Sequence, residues 1–87
     1  MGTMIIHHLV GDYKAWRPAY DRHEPMRNAA GLTNGRVFRS ADDPNDLLIL
    51  LDMADLGRAK EFAVSEDLRS AMQGAGVVGK PELHYIE

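Results

Sequence analysis

Between Asp12 and Ala30, the residues Tyr13, Trp16, Tyr20, His23 and Arg27 recur at spacings of three and four, so a helix would carry all five on one face. A stripe that only packs is usually Leu and Ile. This one is aromatic and ends in hydroxyl, imidazole and guanidinium groups, the materials of a pocket wall for a planar, partly polar small molecule. The chemistry it could support is activation of a phenol or enol. His23 is the candidate base, because imidazole is the side chain that titrates nearest neutrality. Arg27, or Arg39 from a later segment, is the candidate partner for a developing oxyanion, and Tyr13, Trp16 and Tyr20 are candidate surfaces for stacking a ring. The same stripe also reads as ordinary core. On a wheel of ~100° per residue, Ala15, Ala19, Met26 and Ala30 fall beside it, and Lys14, Arg17, Asp21, Arg22, Glu24 and Asn28 fall opposite, which describes an amphipathic helix with its aromatic face inward.

His7 and His8 form a second constellation, both of them candidate ligand-binding residues. Adjacent strand residues point to opposite faces, so the pair cannot chelate one metal. Parity groups His8 with Met4, Ile6 and Val10, and His7 with Ile5 and Leu9, without saying which set meets the helices. His84, on a later strand, reads as structural or exposed. No metal site is expected: there is no HExxH, no cluster at ligand spacing and no nucleophile elbow. Asp42 and Asp43, ahead of Pro44 and Asn45, make a turn. In Gly74-Ala75-Gly76-Val77-Val78-Gly79 the glycines end a helix instead of leading from a strand into one, which rejects a dinucleotide loop. No cofactor is expected.

The elements that must position these side chains fit one domain, residues 1–87. A chain this short buries only about 60–65% of its unfolded surface, so a partner subunit is a ready source of further burial. There is no cysteine, which removes disulfides and thiolate chemistry and favours a reducing cytoplasm. The first residues lack the basic leader and apolar core of a signal peptide, and no apolar run approaches ~18 residues. Ten basic residues are scattered among thirteen acidic ones for a net charge of −3, so no concentrated basic surface for nucleic acid is expected.

Thr3 to Val10 reads as a strand, followed by a helix capped by Asp12 and stopped at Gly31. Pro18 and Pro25 fall on its solvent side, which predicts a curved or two-piece helix. A break at Pro25 would move Arg27 off the stripe. Thr33 to Ser40 is a strand, the Asp-rich turn a hairpin connection, and Leu47 to Leu51 a strand apolar on both sides. Asp55 and Ser65 are N-caps of two further helical pieces, Gly74 and Gly76 end the second, and Glu82 to Glu87 is the last strand, after a connection at 77–81. The order is that of the ferredoxin-like βαββαβ split fold, α+β with an antiparallel four-stranded sheet whose first and third strands are central. Helices cover one sheet face. The other is left apolar, which predicts a homodimer in which two sheets meet.

These segments also carry a resemblance. Asp12-Tyr13…Trp16-Arg17-Pro18, Val37-Phe38-Arg39-Ser40…Asp42-Asp43-Pro44-Asn45 and Leu68-Arg69-Ser70-Ala71-Met72…Ala75-Gly76-Val77…Pro81-Glu82 make the chain, from about Val10 to Glu87, resemble the dimeric α/β barrel superfamily. It is most similar to antibiotic-biosynthesis-monooxygenase-like short bacterial proteins of unassigned function. The resemblance implies a dimeric α/β barrel and a ligand space between sheet and helices. Its wider membership includes cofactor-free monooxygenases, polyketide cyclases and lactone isomerases, as well as proteins with no known reaction. Two functions are therefore expected in competition: a cofactor-free monooxygenase or cyclase/isomerase acting on a small aromatic or polyketide-like compound, and a non-catalytic dimer that binds such a ligand or serves as an accessory protein.

Overall fold

The computed structural model describes residues 2–87, so Met1, which the single-domain expectation includes, lies outside them. The elements are β1 (Gly2–Val10), α1 (Tyr13–Arg22), α2 (Glu24–Ala29), β2 (Leu32–Arg39), β3 (Asp46–Met53), α3 (Leu56–Ala63), α4 (Glu66–Gly74) and β4 (Val77–Ile86). All pairings are antiparallel and the sheet order is β2-β3-β1-β4, which puts the two most apolar strands in the middle. This is the ferredoxin-like α+β arrangement the pattern predicts.

Each helix begins where the chemistry places it. The Asp12 carboxylate accepts from the Lys14 N–H, Asp55 from that of Arg58, and the Ser65 hydroxyl from that of Leu68. Gly31 turns the chain out of α2 with a φ of 79°, a conformation that costs a Cβ-bearing residue and not glycine.

The first helical region is in two pieces, but the break falls at His23 and not at Pro25. Pro25 lies in the first turn of α2, where a missing N–H costs nothing, so the proline starts the second piece. The break resets the helical phase, and Arg27 stays inward, 6% exposed, while Met26, expected beside the stripe, turns out to 47%. Ala15 is exposed as well.

β4 is longer than expected. It starts at Val77 because Val77 and Val78 pair with Val10 and Leu9 beyond a register shift at His7/Leu9, and this recruits residues whose Gly and Pro read as a connection. β2 carries a similar irregularity between Thr33 and Arg36, with Asn34 at a φ of 52°.

The register sorts the sheet into two faces. Met4, Ile6, His8 and Val10 of β1 and Leu47, Ile49, Leu51 and Met53 of β3 are buried under the helices, where Trp16, Ala59, Phe62 and Leu68 close the core. On the opposite face Leu48 is 39% exposed, so β3, apolar on both sides, is covered on one by the protomer's own helices, as expected. Among the described residues, no helix is long and apolar enough to cross a membrane.

Candidate functional site

Parity alone left His7 and His8 ambiguous; the structure assigns His8 to the helix side. There it stands edge-on to Trp16, with ring centroids 5.7 Å apart at 82°, and is 5% exposed. Burial pushes its pKa down to about 4, with the neighbouring His7 a lesser cause, so the ring is neutral at pH 7. Among the described residues, neither ring nitrogen has a hydrogen-bond partner. A buried polar group in that state costs about 1–3 kcal/mol, which makes it the most informative atom pair in the molecule.

Trp16 is placed by the start of α1. Asn45, in the β2–β3 turn, accepts the Tyr13 N–H at its Oδ1 (2.9 Å), and its carbonyl accepts the Val10 N–H (2.9 Å), so the turn pins the helix entrance to the sheet. From there the stripe stacks on itself. Trp16 lies 4.8 Å from Tyr20 at 23° and 5.9 Å from Tyr13; Arg27 covers the Tyr20 ring at 3.8 Å and Arg39 the Tyr13 ring at 4.1 Å. The result is a ladder of three rings closed by a cation at each end. A side chain at Gly35 would run into the Tyr20 hydroxyl, so β2 keeps a glycine where that ring abuts it. Buried and without a partner, the hydroxyl has a raised pKa, desolvation being the main cause.

A cavity of ≈ 50 Å³ lies between this ladder and the sheet, lined by His8, Trp16, Tyr20, His23 and Arg27, with Phe62 from α3 and Leu68, Ala71 and Met72 from α4 on the far side. Arg27 donates to the Tyr20 carbonyl at 2.7 Å, and among the described residues no carboxylate pairs with it. Burial lowers its pKa. His23 shares its Nε2 with Asp67 of α4 at 2.9 Å and leans on Phe62 at 5.7 Å. A carboxylate on Nε2 calls for the tautomer with its proton there, which leaves Nδ1 as the ring's acceptor.

Three expected site residues lie elsewhere. His7 is on the open sheet face, its Nε2 2.6 Å from Asp46, because strand alternation sends it away from His8. Arg39 does not line the cavity: its guanidinium is spent on the Tyr13 ring and its Nε on the Pro44 carbonyl at 3.1 Å. Tyr13 packs against Trp16 outside the lining. In the other direction, sequence reasoning does not single out Asp67, in the first turn of α4, or the roof residues Leu68 and Met72 as part of the site.

No known family profile matches the sequence, and no curated protein matches it. Solved structures do match the chain along its length. A candidate antibiotic biosynthesis monooxygenase from Bordetella bronchiseptica superposes with a TM-score of 0.78 at 18% identity, covering 100% of this chain and 97% of that one. The fold is that of the antibiotic biosynthesis monooxygenase-like proteins. SnoaB, a cofactor-independent oxygenase from Streptomyces nogalater, matches with a TM-score of 0.71 at 11% identity over 95% of this chain and 89% of its own. Rv0793 from Mycobacterium tuberculosis matches at 0.66 and 15% identity over 100% and 94%. At these identities the likeness is one of fold, and function must be argued from the site.

Proposed function

We propose that this chain binds a small hydroxylated aromatic or polyketide-like compound in the cavity between α1, α2, α4 and the sheet, and acts on it as a cofactor-independent monooxygenase or a cyclase/isomerase. The observation that carries this reading is His8, buried against Trp16 with two ring nitrogens unpartnered among the described residues, in a cavity that also holds an arginine with no carboxylate partner among them. A ligand hydroxyl or carbonyl supplies the missing hydrogen bond.

The pKa of His8 decides its role. A phenol titrates near 10, about six units above His8, so outright proton transfer to that ring is uphill by about 8 kcal/mol. His8 therefore stays neutral and holds the hydroxyl oxygen with its ring N–H, which leaves the hydroxyl's one proton for His23, backed by Asp67, to receive. Arg27 faces the resulting anion, which then reacts with dioxygen in the oxygenase reading or rearranges as an enolate in the cyclase or isomerase reading. That SnoaB, a cofactor-independent oxygenase, shares the fold supports the first.

A second reading, a non-catalytic binding or accessory dimer, is favoured in its accessory form by the small size of the site. A cavity of ≈ 50 Å³ is far below the ~300 Å³ of a typical ligand pocket.

Titration with small phenols, quinones and lactones, following Trp16 fluorescence in air and without oxygen, separates them. Saturable quenching lost in His8→Leu, with oxygen-dependent consumption lost in His23→Ala while binding survives, is the expected result. Binding without turnover in either atmosphere leaves the second reading. Absence of quenching across the panel makes the stripe core, overturns ligand binding in both readings and leaves an accessory dimer.

The open face supports a homodimer. Of the large hydrophobic side chains left exposed, Leu9, Phe38, Leu48, Val78 and Ile86 lie on it together, at 46%, 51%, 39%, 55% and 49%. A cytoplasmic, cofactor-free homodimer completes the proposal.

A further inference from the structure

A second space lies on the other side of α4. It is a groove of ≈ 650 Å³ between that helix and β4, and it shares two lining residues, Leu68 and Met72, with the inner cavity. These two side chains are the wall between the spaces. Met72 is unbranched with three rotatable bonds, so it can swing aside at little cost. The joined volume then falls within the ~300–1,000 Å³ that drug-sized ligands need, which the inner cavity alone does not.

The groove also has a sign. Its walls are apolar, with Val64 at the rim 80% exposed, and the charged residues lining it are Arg69 and Lys80, with no acidic residue among them. In a chain of net charge −3, that is a local reversal. Arg69 has one carboxylate nearby, Glu66 at 3.9 Å, with both side chains largely in solvent, a pairing worth little. Lys80 sits beside Gly79, whose φ of 73° marks the irregular stretch of β4.

We propose that the α4–β4 groove holds the acidic tail of the ligand. The occupant is a soluble small molecule with a hydroxylated ring in the inner cavity, an apolar body crossing at Met72, and a carboxylate between Arg69 and Lys80. This inference rests on the proposed function and adds to it the substrate class, an aryl or polyketide-like carboxylic acid. The neutral ring end is read by His8 and the anionic end by the groove.

Three probes test it: 2-naphthol, a naphthol carrying an ω-carboxyalkyl chain, and the methyl ester of that acid. Each is titrated against wild type and the Arg69→Glu/Lys80→Glu double variant at low and high salt. Both substitutions sit on exposed side chains and leave the core intact. The expected result is an acid bound about five- to tenfold more tightly than its ester, from two exposed charge contacts. That preference should shrink with salt and vanish or invert in the double variant, while 2-naphthol binds both proteins alike. Equal affinity for acid and ester, or a preference that survives charge reversal, overturns the groove while binding of 2-naphthol leaves the inner site standing. Conversely, an acid that keeps its charge-dependent preference while 2-naphthol fails to bind upholds the groove and removes the ring site.

Discussion

His7 and His8 are the same residue one position apart on β1, and they meet opposite fates. His7 points to the open face, where its side chain is 43% exposed and its Nε2 rests 2.6 Å from Asp46, with Glu82 4.0 Å from Nδ1. His8 points under the helices, 5% exposed, edge-on to Trp16 and without a partner for either nitrogen. The open face has satisfied its polar groups and left its apolar ones in water. The covered face has buried its apolar groups and left the His8 ring and the Tyr20 hydroxyl unsatisfied among the described residues. Each face is thus incomplete in its own currency, one lacking apolar cover and the other a hydrogen-bond partner, and this is the basis for assigning a protein partner to the first and a small molecule to the second.

The comparison breaks most visibly at the covered face. Trp16 is 2% exposed and holds both the ring ladder and the edge of His8, so Trp16→Ala is expected to cost about 3–5 kcal/mol in urea unfolding at neutral pH. A loss below about 1 kcal/mol would show that the ladder is a surface and not core. Next in size is a pH effect. His8 has a folded pKa of about 4 against an ordinary value of 6.5, so the unfolded chain takes up a proton that the folded one refuses. Its contribution is complete above pH 6.5 and is lost as pH falls through 6.5 towards 4, by about 3 kcal/mol in all. His8→Leu should remove that part of the slope and, by deleting an unpartnered buried group, raise stability at pH 7 by about 1 kcal/mol. A variant both more stable and unable to bind phenols is the signature of a residue kept for function. An unchanged acid slope would show that His8 is solvated or hydrogen-bonded in the folded state.

Much of this layout is legible in the residues. The apolar runs of β1 and β3 declare them central, and Asp12, Asp55 and Ser65 announce three helix starts because a short polar side chain before an apolar period has few other uses. Strand parity separates His7 from His8 but is symmetric under exchange of faces, and with apolar neighbours on both sides only packing breaks the tie. The β4 start was hidden because Gly79 and Pro81 speak locally for a turn, while long-range pairing of Val77 and Val78 with β1 overrides them. The outward turn of Met26 was hidden because the phase shift at His23 has no residue that names it. Asp67 was hidden for a third reason. It lies 44 residues from His23, and no local pattern encodes a contact across α1 and α4.

The smallest effect sharpens the open side. Within one protomer the His7–Asp46 pair is half in water, and exposed pairs of that kind contribute about 0–1 kcal/mol, so His7→Gln should scarcely move the unfolding midpoint. That holds only while the face is wet. When a second copy covers Leu9, Phe38, Leu48, Val78 and Ile86, Asp46 and Glu82 lose solvent, and removing His7 leaves carboxylates facing an apolar partner with less to hold them. The same substitution should therefore weaken the dimer by more than it weakens the protomer. Phe38→Asp supplies the reference, since a charge on a side chain 51% exposed blocks association without touching the core. In sedimentation at micromolar concentration, wild type is expected as a dimer, Phe38→Asp as a folded monomer, and His7→Gln as a mixture of the two. In the Phe38→Asp background, His7→Gln should change unfolding by less than about 1 kcal/mol. A wild-type monomer would mean that the open face is finished as it stands, and a His7→Gln dimer as tight as wild type would mean that His7 and its carboxylates stay in water when the face is covered.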